Sequence, residues 1–124
     1  MRFMFQLYQD EQRWSKMTPE VAGREMGAYT AYTQALREAN VFVDGDPLEP
    51  TSGAATVRVT GDGKTSVLDG PYAESKEQLG GYYIVDVPDL DSAITWAARC
   101  PTASHGAVEV RPIMRVPAES SAAT

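Results

Sequence analysis

The chain has 124 residues, of which 43% are hydrophobic and 23% charged, proportions that suit one soluble globular domain. Its 17 acidic residues outnumber 11 basic ones, and the net charge of −6 argues against direct binding to a phosphate backbone. No apolar run approaches the roughly 20 residues that span a bilayer, and the first residues lack a signal-peptide pattern. We therefore expect neither nucleic acid nor a membrane as partner, and a cytoplasmic location. With one cysteine, Cys100, and one histidine, the chain excludes an intrachain disulfide and is poor material for a metal site.

The first predicted element is a strand over residues 2–8. Its residues alternate so that Phe3, Phe5 and Leu7 share the core face. A polar segment follows, in which Trp14 either packs on the edge of the core or borders a pocket. We favour packing, because aromatic side chains mostly serve as buried area.

Thr18 and Pro19 predict the start of a helix over residues 19–39, with Thr18 as N-cap and proline at the first helical position. Asn40 suits the left-handed residue that ends it. One apolar stripe along the helix is predicted to dock on a sheet; it comprises Ala22, Met26, Tyr29, Tyr32 or Thr33, Leu36 and Ala39.

Short strands and turns fill the middle of the chain. Residues 41–44 are predicted as a strand and the Gly-Asp-Pro sequence at 45–47 as a turn. Residues 55–60 and 65–68 form the two strands of a predicted hairpin. The strand predicted next, over residues 82–87, is apolar on both faces, which is typical of a central strand.

A second helix begins with Asp89 as N-cap and ends before Pro101. Leu90, Ala93, Ile94 and Ala97 form its predicted buried stripe. Cys100 is interpreted as a small buried hydrophobic residue. His105 could act as an acid or base, but a loop histidine beside glycine is more often solvated, and we favour that interpretation. A last strand covers residues 107–113, so the domain is expected over 2–115 with a flexible tail over 116–124.

The segment 69–83, DGPYAESKEQLGGYY, concentrates turn formers, charges and a glycine pair between two strands. Asp69 to Tyr72 predict a sharp turn. Glu74, Lys76 and Glu77 lie in a polar segment that could form about one helical turn. Gly80 and Gly81 indicate a bulge or the close approach of a backbone or ligand. The segment is either a candidate site or a hairpin loop with solvated charges.

This segment, together with VPDLDSAITWAARCP and VEVRPIM further on, resembles the DGPF family of YciI-related (YCII) domains from Phe3 to Met114. The resemblance implies an α+β, ferredoxin-like two-layer sandwich with an antiparallel sheet. It also implies a homodimer of the dimeric α/β-barrel type, formed through the sheets, with a cleft near the motif. Most members lack an established activity. Some relatives in the wider group eliminate halide or rearrange small ring compounds, and DGPF domains are often encoded beside alternative sigma factors.

Many YciI-like proteins carry a helix histidine paired with an aspartate. A gap-free count from Asn40 places Tyr29 near that histidine's position, so the pair is not carried over to this chain. We interpret Tyr29 as a packing residue, since an ordinary tyrosine pKa near 10 makes it a poor base.

Strand alternation predicts the two faces of the sheet. One face of the predicted sheet is expected to face the helices, and it carries Phe3, Phe5, Val57, Val59, Val108 and Val110. On that assignment the opposite face carries Gln6, Tyr8, Arg58, Glu109 and Arg111. A dimer stacking these faces would leave a cleft in which Arg58 and Arg111 clamp a carboxylate or phosphate, or else the charged side chains form interface ion pairs. Both interpretations stay open.

Two functions from different classes follow. The first is a small-molecule enzyme that performs cofactor-independent acid and base chemistry, of the lyase or isomerase type, on an anionic or phenolic metabolite. The predicted acid or base residues are Asp69, Glu74 and Glu77, and the predicted substrate contacts are Gln6, Tyr8, Arg58, Tyr72, Lys76, Glu109 and Arg111. The alternative is a non-catalytic sensor or accessory domain linked to sigma-factor-dependent transcription.

Overall fold

The computed structural model describes residues 1–73 and 75–117. Six strands and three helices occur in this part of the chain. They are β1 (Arg2–Gln9), α1 (Gln12–Ser15), α2 (Pro19–Glu38), β2 (Phe42–Pro47), β3 (Ala55–Val59), β4 (Thr65–Asp69), β5 (Gln78–Asp86), α3 (Leu90–Arg99) and β6 (Ala107–Pro112). Short 3-10 turns cover Thr51–Gly53 and Pro101–Ser104.

The main sheet is antiparallel and has the strand order β2-β5-β1-β6. Strands β1 and β5 are central, as their apolar sequences indicate. Helices α2 and α3 contribute to a single core with the inner face of this sheet, which is the arrangement of a ferredoxin-like α+β sandwich. The predicted fold is therefore confirmed. The predicted homodimer stays a prediction.

The core forms where the alternating side chains of β1 and β5 meet the helices. Phe3 and Phe5 are fully buried and belong to the same core cluster as Tyr32 of α2 and Tyr83 of β5. The Tyr32 hydroxyl donates a hydrogen bond of 2.8 Å to the carbonyl oxygen of Trp96, which ties α2 to α3. The Tyr32 ring also meets the Tyr83 ring edge to face at 5.2 Å between centroids.

Both predicted helix starts are confirmed. The Thr18 hydroxyl accepts a hydrogen bond from the Val21 backbone N–H at 3.3 Å, and the Asp89 carboxylate accepts one from the Ser92 N–H at 2.8 Å. Asn40 has a φ of 59°, the left-handed conformation predicted after the first long helix. That helix ends at Glu38, one residue earlier than predicted.

The predicted helix stripes are only partly correct. Tyr32 and Leu36 of α2 are buried, as are Ala93 and Ala97 of α3. Met26, in contrast, is exposed, and Leu90 and Ile94 retain 47% and 50% of their accessible surface. Periodicity identified the correct helices but drew stripes wider than the buried face, since Ile94 directly follows the buried Ala93 and is still half exposed.

Two predictions about the middle of the chain are wrong. Residues 45–47 continue strand β2 and pair with β5, whereas a turn was predicted there. The hairpin of β3 and β4 forms a separate two-stranded sheet, so Val57 and Val59 do not face the core and are 60% and 66% exposed. The alternation within the hairpin is real, but neither strand pairs with the main sheet.

The remaining differences concern boundaries. Strand β5 begins at Gln78, four residues before the predicted start, so the glycine pair lies within the strand. The segment that contains Lys76 and Glu77 shows bends and no helical turn, and Glu74 lies outside the described residues. The predicted tail over 116–124 also lies outside them from residue 118 onward. Among the residues that are described, no helix has the length and apolar character needed to cross a membrane.

Candidate functional site

A cavity of about 610 Å³ opens at the end of the sheet where α2 passes over the glycines of β5. This volume is typical of a small-molecule site. Strand β1 contributes Leu7 and Gln9 to its wall, α1 contributes Trp14, and α2 contributes a row of side chains from Met26 to Arg37. The opposite wall is formed by β2 and β5; its residues include Gly45, Asp46, Pro47, Gly80, Gly81, Tyr82 and Tyr83.

The glycine pair shapes the floor of the cavity. Leu7 pairs with Gly81 and Tyr8 with Leu79, so Gly80 is the extra residue of a β-bulge. A Cβ atom on Gly81 would lie 3.0 Å from the carbonyl oxygen of Asp46 and 3.3 Å from the Cα of Pro47. Glycine at this position therefore allows β2 to approach closely, as predicted for the motif.

Hydroxyl groups and aromatic rings line the α2 side. The Thr33 hydroxyl donates to the carbonyl oxygen of Tyr29 at 2.9 Å and lies 2.9 Å from the Tyr83 hydroxyl. Burial raises the pKa of Tyr29 to about 12 although its hydroxyl bonds to the Thr102 side chain, and burial also raises the pKa of Tyr83. Both phenols are therefore protonated hydrogen-bond groups at neutral pH.

Charged groups stand at several places on the wall, and Asp46 is one of them. The Glu11 carboxylate accepts hydrogen bonds from the backbone N–H of Thr51 at 2.6 Å and from its hydroxyl at 2.8 Å. The Arg37 guanidinium lies 4.4 Å from the centroid of the Phe42 ring. The cavity thus combines apolar walls with separate acidic and basic groups. In residues 1–73 and 75–117, no cluster of three or more His, Cys, Asp or Glu could hold a metal ion.

Trp14 lines this cavity and is absent from the buried core. The favoured interpretation of Trp14 as a packing residue is therefore wrong, and the alternative, that Trp14 borders a pocket, is confirmed. Tyr29 packs against the core and also lines the cavity. Sequence reasoning missed Gln9 and Glu11 altogether. Extending the alternation of β1 by two residues places Gln9 on the inner face, which was the available signal.

A partly buried polar cluster lies where α1, α2 and the turn before β6 meet. Arg13 binds the Glu25 carboxylate with two hydrogen bonds of 2.9 and 2.6 Å. The Nε2 atom of His105 lies 3.5 Å from the same carboxylate. The His105 side chain is only 14% exposed, so the predicted solvated histidine is wrong. The histidine is shielded because the loop before β6 packs against α2, a contact between segments far apart in the chain.

His105 should make the free energy of unfolding rise with pH. Burial and the charge of Arg13 lower the pKa of His105, and Glu25 opposes them without reversing the direction. The unfolded chain therefore takes up the proton first, at its ordinary pKa of about 6.5. This contribution to stability is fully present above that value and is lost as the pH falls through the lowered pKa.

Urea unfolding between about pH 8 and about pH 5 checks this expectation, with His105→Asn as the comparison. The variant should show a flatter dependence on pH in that range, because the chain contains no other histidine. Glu25, whose pKa is lowered chiefly by its hydrogen bonds from Arg13, loses its contribution at lower pH in both proteins. Equal slopes for wild type and variant would contradict the prediction.

The predicted site residues that the structure describes lie elsewhere in the fold. Asp69 ends β4 and is exposed, as are Lys76 and Glu77. The Tyr72 ring is also exposed, and its centroid lies 4.9 Å from the Cζ atom of Arg58. The cross-strand pairs of β1 and β6 place the outer-face residues together; these are Gln6, Tyr8, Glu109 and Arg111. Arg58 belongs to the separate hairpin, so strand alternation does not place it on that face. None of these described residues lines the cavity, and their predicted roles stay predictions.

The fold and the cavity define a ferredoxin-like α+β domain with a space for a small ligand beside a glycine bulge. The chain belongs to the YCII-related domain family, whose model matches residues 1–117. It is 40% identical over 108 residues to an uncharacterized protein of Rhizobium meliloti (strain 1021), with 86% of each chain covered. The narrower DGPF assignment fits this family and stays a prediction.

A solved structure shares the fold. It is 5-chloro-2-hydroxyhydroquinone dehydrochlorinase (TftG) from Burkholderia phenoliruptrix AC1100, in complex with 2,5-dihydroxybenzoquinone. The similarity has a TM-score of 0.54 at 15% sequence identity, and it covers 94% of this chain and 96% of that one.

Proposed function

We propose that this chain binds a small hydroxylated aromatic compound, of the phenol or quinone class, in the cavity beside the glycine bulge. We further propose that it acts on this compound by cofactor-independent acid and base chemistry, of the lyase or isomerase type. The observation that carries the proposal is the cavity itself. Its volume of about 610 Å³ lies in the range of small-molecule sites, and its walls combine aromatic faces with a few hydroxyl and charged groups.

The wall offers the groups that such chemistry needs. Removal of a proton from a ring hydroxyl increases the electron density of the ring, which favours expulsion of a leaving group or migration of a double bond. The Glu11 carboxylate can accept that proton. The Tyr29 phenol, protonated at neutral pH, can donate a hydrogen bond, and the Arg37 guanidinium can stabilise negative charge on a ligand oxygen.

The structural neighbour supports the choice of ligand class. Its name describes elimination of chloride from a hydroxyhydroquinone, and its complex contains a dihydroxybenzoquinone. A shared fold does not transfer a reaction, so the site must carry the argument. In this chain the cavity favours the same ligand class because its lining includes four aromatic side chains and two threonine hydroxyl groups, which are those of Trp14, Tyr29, Tyr82, Tyr83, Thr30 and Thr33.

Binding of 2,5-dihydroxybenzoquinone, measured by equilibrium dialysis and visible absorbance, tests the proposal. Thr30 lines the cavity from an exposed position on α2, so Thr30→Trp should fill the space without disturbing the core. We expect this variant to weaken binding at least about tenfold, a cost of about 1.4 kcal/mol. Ala28→Trp is the matched control, since Ala28 is exposed on the same helix and does not line the cavity.

The outer face of the sheet is a second candidate site. Gln6 lies there between Tyr82 and Glu109, and its Oε1 atom is buried without a hydrogen-bond partner among the described residues. A homodimer through this face would account for the unpaired oxygen, because the second copy could supply a hydrogen-bond donor. Arg111 would then contact an anionic ligand in the cleft between the two copies. Arg58→Ala and Arg111→Ala separate the two proposals, because both should leave binding in the cavity unchanged.

Loss of binding in Arg58→Ala or Arg111→Ala, together with no effect of Thr30→Trp, would move the site to the predicted sheet-face and motif residues. Asp69, Glu74 and Glu77 would then be the acid and base candidates. Specific binding without turnover of phenolic compounds would favour the sensor function. Absence of binding by the folded wild type would overturn the proposed ligand class.

A further inference from the structure

Gln9 occupies a position where the pattern of β1 calls for an apolar side chain. It follows Phe3, Phe5 and Leu7 on the inner face of the strand and is only 8% exposed. A buried amide costs free energy unless its polar atoms are hydrogen-bonded, whereas an apolar residue of the same length carries no such cost. A glutamine at this point therefore requires a reason.

The Oε1 atom of Gln9 is buried and has no hydrogen-bond partner in the part of the chain that the structure describes. Gln9 is also part of the cavity wall. An unpaired buried acceptor often marks a functional group whose partner comes from outside the chain. Because Gln9 lies on the wall of a ligand-sized space, a ligand can supply this partner once the amide turns its oxygen toward the cavity.

Two glycines make room for this side chain. A Cβ atom on Gly80 would lie 3.6 Å from the Nε2 atom of Gln9, and one on Gly106 would lie 3.1 Å from its Cβ. Gly80 of β5 therefore leaves space for the amide and Gly106, in the turn before β6, leaves space for the base of the side chain. The terminal torsion of glutamine has a broad preference, so rotation can present either end of the amide to the cavity.

We propose that Gln9 is the specificity-determining residue of the cavity and that its amide oxygen accepts a hydrogen bond from a hydroxyl group of the bound aromatic ring. This inference rests on the proposed function, and it narrows the ligand class. The ring must carry a free hydroxyl that faces β1. An aromatic hydrocarbon of the same shape leaves the acceptor unpaired and therefore binds more weakly than the phenol.

A pair of probes that differ in one hydroxyl group tests this selection. Calorimetric titration with p-cresol and p-xylene compares rings of nearly the same shape, and Gln9→Met removes the amide while keeping an unbranched side chain of similar length. We expect the variant to bind p-cresol about tenfold more weakly, the scale of one lost hydrogen bond, and to bind p-xylene within about twofold of wild type. Gln12→Met is the control, because Gln12 is exposed and outside the cavity wall.

A melting curve without ligand provides an independent readout. Gln9→Met should melt at the same temperature as wild type or higher, because it removes an unpaired buried acceptor. A lower melting temperature would show that the amide has a structural partner, and this result would overturn the inference. Equal weakening of both probes, or no change for either, would also overturn it.

The outcomes also separate this inference from the proposed function. Binding of p-cresol that does not depend on Gln9 removes only the role of Gln9 and leaves the ligand class standing. If wild type binds neither p-cresol nor 2,5-dihydroxybenzoquinone, the proposed function fails, and the assignment of Gln9 as a ligand contact fails with it.

Discussion

Replacement of Gly106 by alanine should lower the free energy of unfolding by about 3 kcal/mol, which places it among the most damaging small changes in this chain. A Cβ atom at Gly106 would overlap the carbonyl oxygen of Tyr8 and lie 3.1 Å from the Cβ of Gln9. The overlapping atom belongs to the backbone of the central strand β1, so no side-chain rotation can relieve it. The strand and the turn before β6 must separate.

Chemical denaturation of Gly106→Ala measures this cost, and the melting temperature should fall by about 10 °C. Gly80→Ala is the matched control on the other side of β1, because its Cβ would meet nothing closer than 3.6 Å. That variant should stay within about 1 kcal/mol of wild type. Equal stability of both variants would show that the contact between β1 and the turn is looser than described.

Leu36→Ala should cost about 3 kcal/mol for a different reason. Leu36 is fully buried on the inner face of α2, and its truncation loses apolar contact and leaves a cavity that the surrounding side chains fill only partly. The effect should appear as a lower midpoint in denaturant with little change in the slope of the transition, since the surface exposed on unfolding is nearly the same.

The same substitution at Leu90 provides the control. Leu90 was predicted to lie in the buried stripe of α3 but retains 47% of its accessible surface, so Leu90→Ala should cost less than about 1 kcal/mol. A large loss of stability at Leu90 would indicate that another surface covers it in solution. That surface would be a contact on the helix side of the sheet, distinct from the predicted homodimer through the outer face, and the molecular masses of wild type and variant would show whether a second copy supplies it.

The local chemistry of the sequence determined the elements of the fold. The alternation of Phe3, Phe5 and Leu7 predicted β1 and its inner face, and Thr18, Asn40 and Asp89 predicted where helices begin and end. These features depend on neighbours within about four residues, because caps, turns and periodic faces are short-range effects. The bulge or close approach at Gly80 and Gly81 was predicted on the same basis, because a glycine pair is a signal within one short segment.

Only the tertiary structure decided which elements meet. Strand alternation could not show that the hairpin of Val57 and Val59 stands apart from the main sheet, because it distinguishes two faces without naming their neighbours. The cavity and the burial of His105 depend on pairings between residues far apart in the chain, such as Tyr8 with Ala107 and Leu7 with Gly81. Gln9 gained its candidate role from those pairings, since they bury its amide on the wall of a space that no single segment encloses.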